Sequence, residues 1–122
     1  MLVDTHALLW WLVDDPLLSD AARAEIADPV VDALVSAVSV WEIAIKRSLG
    51  KLTGGEELLD AVSSDGFTWL PISERHAWEV AKLPHHHSDP FDRLLIAQAR
   101  VEELPILTQD RHFDDYDVVV SW

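Results

Sequence analysis

The chain contains no cysteine. A disulfide framework is excluded, as are thiolate metal centres and thiol redox chemistry. Cations are scarce as well. Nine Lys and Arg stand against 22 Asp and Glu, for a formal net charge of −13. That balance argues against coating of nucleic acid through a basic face, which needs clustered Lys and Arg. It suits divalent cations and basic partners. Long hydrophobic runs are missing too. The longest early one, Ala7 to Val13, is too short to span a bilayer. No basic segment precedes it, so a signal peptide is not expected. The expectation is a cytoplasmic protein that does not engage membranes.

What remains is ordinary globular material. The 122 residues are 49% hydrophobic, enough for a core and of a length that fits one domain, residues 1–122. No repeat, linker or low-complexity tract divides the chain. The one local bias is His85-His86-His87.

Apolar runs of two lengths alternate. Short ones predict strands at Met1–Val3, Asp32–Ser36, Thr68–Leu70, Ile106–Thr108 and Val118–Val120. Longer patterned stretches predict helices at Ala7–Leu12, Ser19–Ala27, Ser39–Leu49, Glu56–Ser63, Ser73–Leu83 and Asp89–Glu103. Ser19, Ser39, Ser73 and Asp89 are caps, Pro90 suits a first helical turn, and Gly50 is a stop. Strands alternating with helices give an α/β fold. The expected form is three layers, with a mostly parallel central sheet of four to five short strands. The strands are uniformly apolar, as strands buried on both faces are. In such folds ligands gather beyond the carboxyl ends of the strands.

Four acids stand at element boundaries: Asp4, Glu42, Asp92 and Asp110. If they converge, their repulsion raises a pKa or recruits a cation. A set of oxygens favours Mg²⁺ or Mn²⁺ over Zn²⁺. Each acid also has a structural reading. Ser39 and Glu42 are spaced as a capping box, and Glu42 can pair with Lys46 four residues on. Asp89 can cap a helix whose dipole favours Asp92. Asp110 and Asp4 can cap the turns that follow them.

The combination carries a resemblance. Val3-Asp4-Thr5-His6-Ala7-Leu8-Leu9-Trp10 resembles the opening of PIN-domain ribonucleases of the VapC toxin type. Ser36-Ala37-Val38-Ser39-Val40-Trp41-Glu42-Ile43 is similar to that family's second motif. His87-Ser88-Asp89-Pro90-Phe91-Asp92-Arg93-Leu94-Leu95-Ile96-Ala97-Gln98-Ala99 resembles the third, and Leu107-Thr108-Gln109-Asp110 with Phe113 and Tyr116 the fourth. The resemblance implies a PIN-like fold and an acidic quartet of Asp4, Glu42, Asp92 and Asp110 around Mg²⁺ or Mn²⁺. Asp4 and Asp92 would be the main ligands. Asp110 and Glu42 would hold a second ion or order water. It also implies the toxin of a toxin–antitoxin pair, an endoribonuclease leaving 5′-phosphate and 3′-hydroxyl ends. A VapB-like antitoxin, a homodimer and a toxin–antitoxin hetero-oligomer come with it. Thr5, Ser39 and Thr108 carry hydroxyls close in sequence to the acids, able either to orient carboxylates or simply to cap turns.

The charge of −13 sits uneasily with an RNA substrate, since phosphate contacts normally use Lys or Arg. Metal ions, a dimer groove, or recognition of a folded RNA such as a tRNA by shape would relieve it. The compact basic stretch is Lys46-Arg47-Ser48-Leu49-Gly50-Lys51, which suits RNA phosphates or, more simply, a helix C-terminus. Arg93 and Arg111 each adjoin a quartet acid. The six histidines show no zinc spacing, and solvated loop positions are expected for His85, His86 and His87, with His87 ordering the loop to Asp92. Trp41 shares an apolar stripe with Ala44, Ile45 and Leu49, which predicts core packing. Adjacent Trp10 and Trp11 cannot both be buried easily. Two other classes compete: a non-catalytic acidic interaction module, and a phosphoacceptor receiver domain. The receiver needs a lysine late in the chain, and Lys46, Lys51 and Lys82 are the only three.

Overall fold

The computed structural model describes residues 1–122. Five short strands form one sheet: β1 Leu2–Val3, β2 Leu34–Ser36, β3 Thr68–Leu70, β4 Ile106–Leu107 and β5 Val120–Ser121. Their order is β3-β2-β1-β4-β5, and every pairing is parallel. Six helices connect them: α1 Thr5–Leu12, α2 Asp20–Ala27, α3 Ala37–Ser48, α4 Leu58–Ser64, α5 Glu74–Glu79 and α6 Pro90–Glu102. The α/β architecture and the parallel sheet expected from the sequence are both present.

The apolar strands are explained by two cores, one on each face. Val3, Val35 and Leu107 point into a core completed by Ala7, Leu8, Ala22, Ile26, Ile43 and Val62. Their neighbours Leu2 and Ile106 point the other way, toward Leu95, Ile96, Ala99 and Phe113. Side chains alternate across a strand, so a strand covered on both sides must be apolar at consecutive positions. The chain leaves β1 for β2 and β3 on one side, then crosses back to β4 and β5 on the other. The reversal falls between β1 and β4, where the carboxyl ends of neighbouring strands diverge into different loops.

Several details differ from the sequence reading: α1 begins at Thr5, capped by Asp4, and β5 is Val120–Ser121 rather than Val118–Val120. Helix α3 begins at Ala37, capped by Ser36, whose Oγ accepts from Val38 N at 2.9 Å. Ser39 therefore lies inside the first turn, and the Ser39–Glu42 capping box does not form. The buried face of α3 is Val38, Ser39, Glu42 and Ile43. The stripe predicted to pack inward faces out, with Trp41 48% exposed and Ala44 and Leu49 also exposed. Trp41 instead meets the edge of Phe91, ring centroids 4.9 Å apart. The predicted helix Ser73–Leu83 is α5 followed by a 3-10 turn at Val80–Lys82. Gly50, at φ 72°, ends α3 in the left-handed region as expected.

This orientation of α3 sets a ranking. Ile43→Ala should cost about 2–5 kcal/mol, the scale for a buried aliphatic truncation. Trp41→Ala should cost about 1 kcal/mol, the edge-on aromatic contact. Urea denaturation measures both, and the reverse order would place the wrong face inward.

Candidate metal centre at the carboxyl edge of the sheet

Asp4 immediately follows β1 and is 5% exposed. Its backbone N–H still donates to Leu107 O at 3.1 Å, so the residue is held in register with β4. Its Oδ1 accepts from Ala7 N at 2.7 Å and caps α1. Its Oδ2 accepts from the Thr108 hydroxyl on the neighbouring strand end. Burial pushes the Asp4 carboxyl above its ordinary pKa, in spite of these two hydrogen bonds, and the charge of Asp110 adds to the rise. Thr108 Oγ1 in turn accepts from Asp110 N at 3.0 Å. One hydroxyl thus joins two of the acids across the sheet reversal.

Glu42 lies one turn into α3 and is 3% exposed. Its Oε2 accepts from Lys46 Nζ at 2.7 Å, the pairing anticipated from sequence. Its Oε1 is buried with no hydrogen-bond partner. A buried carboxylate oxygen without a donor is costly, and native proteins rarely leave one.

Asp92 occupies the first turn of α6, behind the cap Asp89, whose Oδ1 accepts from Phe91 N at 2.8 Å. Burial first, then repulsion from Asp89 and Glu42, raises the Asp92 pKa to about 6, although a bond to His87 opposes the rise. That bond joins His87 Nε2 and Asp92 Oδ2 at 2.8 Å. Asp110 caps the 3-10 turn Arg111–Asp115. Burial pushes its pKa up, but the backbone and ring of His112 outweigh it, and the net shift is downward. His112 N and Nδ1 each lie 2.9 Å from Asp110 Oδ1.

The acids that follow β1 and β4 and those in α3 and α6 are linked in pairs at the carboxyl side of the sheet. The ligand atoms of His87, Asp110 and His112 fall within 4.8 Å of one another, and so do those of His87, Asp89 and Asp92. Asp4 feels the charge of Asp110, and Asp92 feels that of Glu42. A cavity of about 310 Å³ opens at this edge, lined by Asp4, His6, Trp10, Gln109 and Asp110. A larger cavity, about 640 Å³, lies at the far end of α6 around Arg100 and Glu103 and includes none of the four acids.

The hydroxyls divide. Thr108 contacts a carboxylate, as anticipated. Thr5 and Ser39 do not; their hydroxyls bond to each other at 2.9 Å and tie α1 to α3. Arg93 touches neither phosphate-accessible surface nor an acid. It is buried and donates to Pro84 O at 2.9 Å, and also to the carbonyls of Val80, Leu83 and His87 and to the Tyr116 hydroxyl. His87 is half-buried rather than solvated and orders the loop to Asp92 as expected: its ring bonds Asp92, its backbone N donates to Tyr116 Oη at 2.9 Å and its ring stacks on His112. His85 and His86 are exposed. His112 is the neighbour the sequence reading missed. Its one local signal is its place two residues after Asp110.

The residues fit a hard divalent cation. Each of the four acids presents oxygen, Asp4 and Asp92 are desolvated, and Glu42 Oε1 lacks a donor. A cation answers all three conditions together.

The PIN domain family model matches residues 1–119. No curated protein matches the chain. Among solved structures, VapBC2 from Rickettsia felis, bound to a DNA fragment from its promoter, aligns with a TM-score of 0.74 at 12% identity, covering 98% of this chain and 96% of that one. FitAcB from Neisseria gonorrhoeae gives 0.66 at 21% identity over 98% and 94%. A toxin–antitoxin complex from Klebsiella pneumoniae gives 0.66 at 20% over 98% and 95%. At these identities the neighbours speak to the fold, and the family match spans all but the last three residues. The chain belongs to the PIN domain family.

Proposed function

We propose that the protein is a metal-dependent endoribonuclease and the toxin of a toxin–antitoxin pair. The observation that carries the reading is the unpartnered Oε1 of Glu42 at the same edge as the desolvated Asp4 and Asp92. Helix capping accounts for one oxygen of Asp4 and one of Asp110, and Lys46 accounts for Oε2 of Glu42. Capping leaves the other oxygen of Glu42 unexplained, and it leaves two carboxyls held above their ordinary pKa. A purely structural role for the quartet has no account of these.

Asp4, Glu42, Asp92 and Asp110 would hold Mg²⁺ or Mn²⁺. When bound, such an ion supplies Lewis-acid stabilisation of a phosphodiester transition state and lowers the pKa of water. The chain's own residues fix the acids. Thr108 donates to Asp4, and the Ala7 N–H locks that carboxylate at the end of the central strand. Lys46 holds Glu42 by one oxygen and leaves the other without a donor. His6 and Trp10 wall the cavity beside Asp4 and offer flat surfaces for a nucleobase. With so few cations, base stacking and RNA shape would supply affinity that Lys and Arg supply elsewhere. The solved neighbours in toxin–antitoxin complexes support the partner reading. A basic antitoxin segment fits an acidic face, and an Arg suits the carboxylate edge. No helix is long and apolar enough to cross a membrane.

With Mg²⁺ or Mn²⁺ the purified protein should cleave RNA, leaving 5′-phosphate and 3′-hydroxyl ends, and spare a DNA of the same sequence. Asp4→Asn and Asp92→Asn, folded by circular dichroism, should each lose about 10²-fold or more in rate, the scale of removing one group that stabilises transition-state charge. Full activity in either variant would remove that residue from the centre.

Metal binding should also depend on pH through Asp92. Its folded pKa of about 6 lies above the ordinary 3.8. The protonated form is thus favoured by folding, and the stability it contributes is present below 3.8 and lost as pH rises through about 6. Above that range a divalent ion replaces the missing proton. Mn²⁺ should therefore raise Tm more at about pH 7.5 than at about pH 5. Equal shifts at both would separate Asp92 from the ion.

A further inference from the structure

The two histidines beside the acids are not used by that reading. His87 comes from the loop before α6, and His112 from the turn after β4. Their rings stack with centroids 4.8 Å apart and planes 6° from parallel. One ligand atom from each of His87, Asp110 and His112 lies within 4.8 Å of the other two. Asp92 Oδ2 stands 2.8 Å from His87 Nε2. Nothing in the proposed hydrolysis by an oxygen-ligated ion calls for two imidazoles here.

We propose that His87, His112 and Asp110, with Asp92 as the fourth ligand, form a site for a zinc-class divalent ion such as Zn²⁺ or Co²⁺. Its chemistry differs from that of the quartet. Imidazole nitrogen selects borderline ions, whereas carboxylate oxygen alone selects Mg²⁺ and Mn²⁺. Two nitrogens and two carboxylates make the four-coordinate set zinc prefers. The charge also balances, since a divalent ion and two carboxylates sum to zero in a region already crowded with acid. Zn–N bonds of about 2.0–2.1 Å place tetrahedral ligand atoms about 3.3 Å apart. Of the four, His87, Asp110 and His112 already lie within 4.8 Å and have about 1.5 Å or less to close, while Asp92 reaches the site from its contact with His87. His112 can make the adjustment, because its side chain is 60% exposed. The two ring planes are near parallel, so rotation of the His112 ring is what lets both rings aim a nitrogen at one point. The ion takes the place of the proton shared between His87 and Asp92.

The sequence hides this site. The two histidines are distant in the chain and lack the short spacing of zinc motifs, and only the crossing from β3 to β4 brings them together. Binding there withdraws Asp110 and Asp92 from the hard cation. Zinc would then inhibit RNA cleavage, a consequence that rests on the nuclease reading, whereas the ion site itself does not.

Cobalt titration of the full chain, followed by visible absorption, tests the site. In a protein without cysteine the bands report nitrogen and oxygen ligands. One equivalent of Co²⁺ should give absorption of four-coordinate strength, bleached by Zn²⁺ and not by about tenfold excess Mg²⁺. His112→Ala, with its circular dichroism unchanged, should lower Co²⁺ affinity about tenfold or more. Mn²⁺ affinity, read from the free-ion paramagnetic resonance signal, should move by less than about threefold in the same variant. Cobalt binding unaffected by His112→Ala, or reversed by Mg²⁺, overturns the proposal. His112-dependent cobalt binding in a protein that cleaves no RNA upholds the site and removes the nuclease reading instead.

Discussion

The carboxylate of Asp4, buried at the end of the central strand, is the constraint around which the carboxyl edge is built. An acid in that position is expensive unless its oxygens are met. One oxygen is met by the Ala7 N–H in the first turn of α1, so the same contact starts a helix. The other is met by Thr108, whose strand lies across the reversal of the sheet. Two halves of the molecule that the chain builds far apart are thereby joined through a polar group as well as through the cores. Removing the Asp4 carboxylate would loosen a cap and a cross-sheet bond together.

Around this point the protein concentrates like charge against the usual rule. Neighbouring acids raise one another's protonation, and the relief comes from local groups. Lys46 answers half of Glu42, His87 answers Asp92, and His112 answers Asp110. Asp4 has only neutral donors, Ala7 N–H and the Thr108 hydroxyl. Each relief is partial, so a cation entering the edge gains from every acid it meets. The surface as a whole is acidic, and the few positive groups near the edge serve its internal balance.

Much of this was legible in the chain. Consecutive apolar residues at Leu2-Val3 and Ile106-Leu107 announce strands covered on both faces, and Asp4 directly after one of them announces a carboxyl-end site. Four acids in the PIN order point to the edge they occupy. The orientation of α3 was not legible. Ser36 and Ser39 are equally good caps, and the apolar stripe through Trp41 is a more obvious buried face than one carrying Ser39 and Glu42. What decides it is tertiary: Thr5 on α1 supplies a partner for Ser39, and the acid edge claims Glu42. The approach of His87 to His112 was hidden for a related reason. Local spacing reveals ligands on one element, while these two are brought together by sheet order.

Arg93 has a further effect through what it holds. Its guanidinium gathers the carbonyls of Val80, Leu83, Pro84 and His87, so the connection between α5 and α6 is pinned from inside at several points. A connection of that kind would ordinarily sample many shapes and lose that freedom only when a ligand arrived. Here the loss is incurred once, when the chain folds. His87 and Asp92 are thereby held in position, and any ligand of this edge would not be taxed by the ordering of its rim.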